Sequence, residues 1–398
     1  MRSKQYIIYM KIRLISLLIL IATFTGCSPV TKKSEDVIHL ISWGGIAADK
    51  ADTLYTLAKE CGFDIHLGLY STQKNAILSM DAAERAGIGI IISFPQIKDS
   101  TEKAITLIKD HPALIAYHVK DEPELDDFKW IQTLQNKISS LDPNHPCYIN
   151  LLPNWAWGVE EYCENLESFA SQMDVPFYSF DNYPVIEVNG KIEVRSDWYR
   201  NLEEFSQMSR RHGKPFWAFA LAKAHSITAP WPDTVYPEPT IGQLRLQVFS
   251  NLLYGAQAIQ YFNFTGLVDP ATCQKKPVYD LVKQVNSEVK AFSHVFTDCS
   301  ILGVWHLGDL IPSGTHPLTA MPYKNVSHMS ITGEGAVVSL IDKAGETYLA
   351  IQNRSCFEAA TLDIEFNSRV KIITPDGLIR FDGNPITLSP GNLVVFKL

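Results

Sequence analysis

Two short segments of this 398-residue chain combine acids with the means to hold them still. They are Tyr117-His118-Val119-Lys120-Asp121-Glu122-Pro123 and Ser179-Phe180-Asp181-Asn182-Tyr183-Pro184. A carboxylic acid fixed at a pocket floor can hand a proton to a leaving oxygen, and a second carboxyl can serve as base or nucleophile. Adjacent acids such as Asp121 and Glu122 suit that work, because a neighbouring negative charge tends to keep a proton on one of them near neutral pH. Plainer readings compete. An acid ahead of a proline is also how a helix begins, with Asp121 or Glu122 as cap and Pro123 in the first helical position. Asp-Asn-x-Pro is likewise a turn signature. Location separates these readings, so the elements that carry the motifs come next.

From Val37 the chain alternates short apolar runs with amphipathic stretches. The runs Val37–Trp43, Phe63–Leu69, Ile88–Phe94, Leu114–Val119, Cys147–Leu152, Val175–Phe180, Pro215–Leu221 and Ala258–Phe262 read as strands, several rich in β-branched residues. Continuous apolar runs are what a parallel strand buried on both faces requires. Helical periodicity follows each run, over Asp49–Cys61, Ser71–Ala86, Thr101–Asp110, Leu125–Leu141, Glu160–Met173, Trp198–His212, Ile241–Tyr254 and Val278–Val295. Eight β-then-α units predict an α/β fold, a closed (β/α)8 TIM barrel over 37–298. The longest insertions, Val185–Asp197 and Ala222–Thr240, follow strands six and seven, on the barrel face where such folds build active sites. After about Ser300 the helices stop. Short strands at 336–341, 347–351, 360–364, 370–373 and 393–398, divided by turns at Gly345, Pro375-Asp376-Gly377 and Pro390-Gly391, predict a small C-terminal antiparallel β-sandwich over 299–398.

Three segments taken together are similar to clan A glycoside hydrolases, nearest in style to the β-galactosidase-like ones. They are Asp-Glu-Pro closing strand four, Asp-Asn-Tyr-Pro closing strand six, and Tyr254-Gly255-Ala256-Gln257-Ala258-Ile259-Gln260-Tyr261-Phe262 entering strand eight. The resemblance covers most of residues 37–295, and Ile386–Asn392 resembles the closing sandwich of those enzymes. It implies hydrolysis of a glycosidic bond in an oligo- or polysaccharide, without a cofactor. In the clan the strand-four motif is Asn-Glu-Pro and its Glu is the acid/base, which Glu122 matches. Asp121 replaces the Asn that contacts the sugar 2-hydroxyl. The clan's nucleophile is a Glu ending strand seven, yet Trp217 to His225 contains no carboxylate. Asp181 could supply the second carboxyl; Asp233 or Glu238 could fold in from the loop after strand seven; or the barrel could bind a glycan without cleaving it. Asp181 is favoured, because a strand end is more rigid than a loop. Retaining enzymes hold their carboxyls about 5–5.5 Å apart and inverting ones about 6.5–9.5 Å.

Other residues belong to the same rim. Trp43 ends strand one, Tyr70 follows strand two and Gln96 strand three. Asn154, Trp155 and Trp157 follow strand five, Lys223 and His225 strand seven, and Asn263 strand eight. Of these, Trp43, Trp155, Lys223, His225 and Asn263 join Asp121, Asn182 and Tyr183 as the expected sugar contacts. His118 lies inside strand four and is expected to be a hydrogen-bonded core residue.

The N-terminus reads as a removable leader. Lys11 and Arg13 precede the apolar run Leu14–Phe24, which ends in Thr25-Gly26-Cys27. That ending resembles the lipobox of bacterial lipoproteins and implies cleavage before Cys27 and a lipid anchor on its thiol. Residues 28–36 form a polar tether. The expectation is an exported lipoprotein, periplasmic or on the cell surface, anchored to a membrane through Cys27. The formal charge is −8. Loss of the leader, with Arg2, Lys4, Lys11 and Arg13, makes the chain more negative, which argues against nucleic acid as a partner. Cys61, Cys147, Cys163, Cys273, Cys299 and Cys356 show no Cys-x-x-Cys spacing, so no metal site is expected. Most read as buried thiols, with Cys273 and Cys299 the candidate bridge.

Overall fold

The computed structural model describes residues 36–226 and 234–398. The leader, Cys27, nearly all of the tether and Asp233 lie outside the described residues. Residues Asp36–Leu398 form one compact unit.

Eight strands make the predicted barrel: β1 (His39–Trp43), β2 (Ile65–Leu69), β3 (Gly89–Ser93), β4 (Leu114–Asp121), β5 (Cys147–Asn150), β6 (Tyr178–Phe180), β7 (Phe216–Leu221) and β8 (Ala258–Phe262). All pair in parallel, in the order β5-β4-β3-β2-β1-β8-β7-β6. A parallel bridge between Leu151 and Phe180 joins β5 to β6 and closes the ring. Eight helices follow: α1 (Ala51–Glu60), α2 (Gln73–Ala86), α3 (Thr101–Ile108), α4 (Phe128–Leu141), α5 (Tyr162–Gln172), α6 (Trp198–His212), α7 (Ile241–Leu253) and α8 (Pro277–Phe296). Local chemistry sets their ends. The Thr72 hydroxyl accepts from the Asn75 N–H at the start of α2, and Gly87 ends it in the left-handed region. Thr240 and Gln243 form a capping box on α7.

The apolar runs divide into two cores. Ile41, Ile65, Leu67, Ile91, Ala116, Tyr148, Phe219 and Leu221 fill the barrel interior. Their sequence neighbours face the helices, in a core that also takes in Val337, Ile341, Ala350 and Val395 of the C-terminal sheets. That region has two antiparallel sheets, one six-stranded and one three-stranded. It contains the strands read from sequence and four more, Ser300–Leu307, Val326–Ile331, Gly377–Arg380 and Ile386–Leu388.

The two long insertions pair with each other. His225–Ser226, Thr234–Tyr236, Val185–Val188 and Lys191–Val194 form a four-stranded antiparallel sheet beside the barrel mouth. All six cysteines from Cys61 onward are free thiols, so Cys273 and Cys299 are not bridged.

Candidate active site

A cavity of about 340 Å³ opens at the C-terminal ends of the strands. Trp43, Asp121, Glu122, Asn150, Trp155, Asp181, Asn182, Tyr183, Phe219 and Phe262 line it from the barrel, and His225, Ser226 and Tyr236 line it from the insertion sheet.

Register explains why the acids meet. Asp121 and Asn150 are partners across β4 and β5, so both side chains leave the same face. An irregularity between His118 and Lys120 shifts the end of β4 just before the acids; bulges of this kind re-aim side chains near active sites. The Asp181 N–H bonds the Leu151 carbonyl at 3.4 Å, which seats the third acid beside the other two. Glu122 lies in the left-handed region, with φ of +48°. A residue with a Cβ adopts that conformation at a cost, and such outliers gather at functional sites. Its N–H bonds the Asn150 carbonyl at 2.9 Å, which holds the turn.

The helix-cap reading of Asp121-Glu122-Pro123 fails. The helical turn after the motif spans Leu125–Asp127, and its cap is Glu124, with Asp127 reciprocating in a capping box. Asp121 and Glu122 face the cavity instead. Water reaches both, although protein walls them on most sides.

The electrostatics follow from that enclosure. Burial, then the Glu122 charge, raises Asp121 to about 7. Glu122 is also raised, chiefly by burial, with neighbouring Asp181 and Lys120 pulling it back down. Asp181 is raised well above the carboxylate range by burial and by the charges of Glu122 and Asp121. Asn150 Nδ2 donates to Asp181 Oδ1 at 2.7 Å and to Asp121 Oδ1 at 3.3 Å. Burial lowers the pKa of His225. Its Nδ1–H donates to the Lys223 carbonyl at 3.0 Å, so a neutral ring presents Nε2 as an acceptor.

Aromatic rings form the walls. Tyr183 meets Tyr236 edge-on with centroids 5.5 Å apart, and Trp43 meets Phe219 at 5.4 Å. The Arg195 guanidinium lies 4.9 Å from the Trp155 ring centre. Flat apolar faces beside a few fixed polar groups suit a sugar ring.

The expected rim residues divide into two sets. Trp43, Asp121, Glu122, Trp155, Asp181, Asn182, Tyr183 and His225 come together at the cavity. Asn263 and Lys223 do not line it. The Asn263 carboxamide caps the turn Phe264–Gly266, accepting from the Thr265 N–H at 3.0 Å. Lys223 contributes its carbonyl to His225. Glu238 is exposed and away from the cavity. Tyr70, Asn154 and Trp157 are taken up in packing and internal hydrogen bonds. His118 is buried but not hydrogen-bonded: neither ring nitrogen has a partner among the described residues. Its ring packs edge-on against Trp43, and burial lowers its pKa to about 3.

Sequence reasoning missed Asn150, Phe219, Ser226, Tyr236 and Phe262. Asn150 had a signal. The run Cys147–Leu152 suggested a strand two residues longer than the real one, which ends at Asn150. A polar residue closing a barrel strand is the rule that picked out Asp121. Among the described residues, no group of three or more His, Cys, Asp or Glu side chains is arranged to hold a metal ion.

Residues 127–297 match the model of glycoside hydrolase family 42, β-galactosidase. This is less than half of the chain. It includes Asp181 and the walls from β5 to β8, and begins just after Glu122. No curated protein matches the chain in sequence. Among solved structures, an α-L-fucosidase from Bacteroides thetaiotaomicron is 11% identical with a TM-score of 0.44, over 90% of this chain and 93% of that one. The Thermotoga maritima α-fucosidase is 8% identical with a TM-score of 0.43, over 88% of this chain and 80% of that one. A Thermobacillus composti xylanase is 12% identical with a TM-score of 0.40, over 62% of this chain and 96% of that one.

Proposed function

We propose that this protein hydrolyses a glycosidic bond, with Glu122 as general acid and Asp181 as the second carboxyl. The observation that carries the reading is the convergence of these two carboxyls on one aromatic-walled cavity at the mouth of a β/α barrel. Both carboxyls are held above the ordinary carboxylate range, so the pair retains a proton for the departing oxygen, and the partner carboxylate stabilises the positive charge that develops on the sugar carbon. Attack by Asp181 would form a covalent glycosyl intermediate, with Glu122 then acting as base toward water, whereas a more widely spaced pair would hold a water for inversion. Asp121, Asn182, Tyr183 and the His225 Nε2 bind hydroxyls; Trp43 and Trp155 pack on the ring. The leader and Cys27 support export and a lipid anchor, which would hold the enzyme at a membrane facing its glycan.

A second reading, a glycan-binding protein without catalysis, is favoured by one observation: the segment from Phe216 to Ser226 carries no acid. A release assay on a panel of plant and host glycans separates the two. Wild type is expected to release sugar, and NMR of the first-formed anomer tells retention through Asp181 from inversion through a bound water. Glu122→Gln and Asp181→Asn should each slow release by about 10²–10⁴-fold. Measurable binding with no release from any glycan would sink the enzyme reading.

A further inference from the structure

We infer that Arg195, held by Asp197, is the positioning residue that sets Trp155 as a wall of the cavity. It acts through Trp155 and touches no sugar itself. The inference rests on the glycosidase reading for its kinetic consequence and stands without it for its structural one.

Trp155 sits on a helical turn of four residues, Asn154–Trp157, that follows β5. Asn154 and Trp157 are buried, but Trp155 is only half-buried. An aromatic side chain in that position has several staggered rotamers open to it. The insertion after β6 chooses one. The Arg195 guanidinium lies 4.9 Å from the Trp155 ring centre. Arg195 does not line the cavity, so it takes the ring from outside. A guanidinium is flat and weakly hydrated, and an indole face attracts it. Asp197 fixes the guanidinium at two points: Nε donates to Oδ1 at 3.2 Å and Nη2 donates to Oδ2 at 3.1 Å. The Arg195 and Asp197 side chains are 11% and 20% exposed, so water competes weakly for this two-point bond.

Two further observations separate a clamp from an incidental contact. Asp197 stands at the N-cap of α6, where an Asp ordinarily accepts from the first N–H groups of the helix. Its side chain makes no such bond and holds Arg195 instead. The second observation is how the clamp is tied down. The Asp197 carbonyl accepts from Asn154 Nδ2 at 3.1 Å, and Asn154 Oδ1 accepts from the Trp155 N–H at 2.9 Å. The Arg195 N–H donates to the Pro184 carbonyl at 2.8 Å, which closes the base of the hairpin formed by Val185–Val188 and Lys191–Val194. Buried Asn201 joins the two sides: its Oδ1 accepts from the Asn154 N–H at 2.8 Å and from Asn182 Nδ2 at 3.0 Å. The clamp therefore links the turn that carries Trp155 to the loop that carries Asn182 and Tyr183, all three of which line the cavity.

Tryptophan fluorescence of the full chain reads the clamp without a substrate. The Trp155 signal is the difference between each protein and its Trp155→Phe counterpart. Acrylamide, a neutral quencher, should reach Trp155 more readily in Arg195→Ala than in wild type, while quenching of the other tryptophans stays the same. Asp197→Asn, which keeps one of the two bonds to Arg195, should open the ring in part. Arg195→Lys, which keeps a cation but not the fork, should fall between wild type and Arg195→Ala. In glycan release, Arg195→Ala should raise KM about 3–30-fold, the worth of one cation–π contact, with a far smaller fall in kcat. Trp155 quenching in Arg195→Ala equal to wild type overturns the proposal, and so does a loss of activity confined to kcat. If Arg195→Ala does not fold, Asp197→Asn and Arg195→Lys carry both measurements. A wild type that cleaves no glycan sinks the glycosidase reading and leaves the quenching result to decide the clamp by itself.

Discussion

At the scale of residues, the cluster sets two opposite demands on pH. Asp121 is raised from its ordinary 3.8 to about 7. Between those values the folded chain holds a proton that the unfolded chain releases. The favourable contribution is complete below about pH 4 and is lost as pH rises through about 7. His66, His118 and His306 run the other way, each lowered to about 3 by burial. Their contribution is complete above about pH 6.5 and is lost as pH falls toward 3. The two windows overlap, and three histidines outweigh one acid, so stability should rise with pH toward about 6.5. Asp121→Asn removes the first demand. Water in the cavity screens Asp121, so the gain is small, a rise in Tm of about 1–3 °C at pH 8. At pH 3.5, where Asp121 is protonated in both states, the gain should vanish. Thermal melts at the two pH values check the claim, and an equal rise at both would refute it.

At the scale of elements, the barrel was legible because its physics is repetitive. Ile88 to Phe94 is buried on both faces as a strand, so its sequence had to be apolar throughout. The insertion sheet was not legible. His225–Ser226 and Thr234–Tyr236 are two and three residues long, and they exist through pairing with each other and with Val185–Val188. No local periodicity announces strands that short, so Ser226 and Tyr236 could not be foreseen. Asn263 illustrates a different failure. Its position after β8 suited a sugar contact, but its carboxamide oxygen caps the short turn it begins, accepting from both the N–H and the hydroxyl of Thr265. That turn also fixes the spacing of the loops after β7 and β8. A Cβ on Gly266 would lie 2.1 Å from the Ala222 carbonyl. Gly266→Ala must push the two loops apart beside Phe262 and His225. It is expected to cost about 1–3 kcal/mol and to weaken substrate binding, whereas Gly87→Ala, strained by its φ of +65° but away from the cavity lining, should cost stability and leave KM unchanged. Denaturant melts with KM measurements compare the two; equal changes in KM would show that the loop spacing does not matter.

At the scale of the whole molecule, the C-terminal sheets are part of the barrel's own support. Sequence divided the chain near residue 298, where helices give way to strands. The physical joint is tighter than that change of pattern suggests. Buried Gln352 accepts from the Ser250 hydroxyl of α7 at 2.7 Å. Its amide donates to the Arg245 and Leu246 carbonyls at 3.2 Å and to the Gly391 carbonyl at 2.9 Å. Ser339 donates to the Leu253 carbonyl at the end of the same helix. α7 leads directly into β8, so this joint fixes one wall of the cavity. A shared apolar core and a buried polar joint leave little reason for either part to unfold alone. Calorimetry of the whole chain should therefore show one transition. Gln352→Leu keeps the volume but strands several buried groups, at a cost of about 1–3 kcal/mol. It should lower that single transition as a unit, without splitting it. Two transitions in wild type, or a Gln352→Leu melt in which only the sandwich loosens while the barrel keeps its midpoint, would show that the parts are independent and that the C-terminal sheets do not support the site.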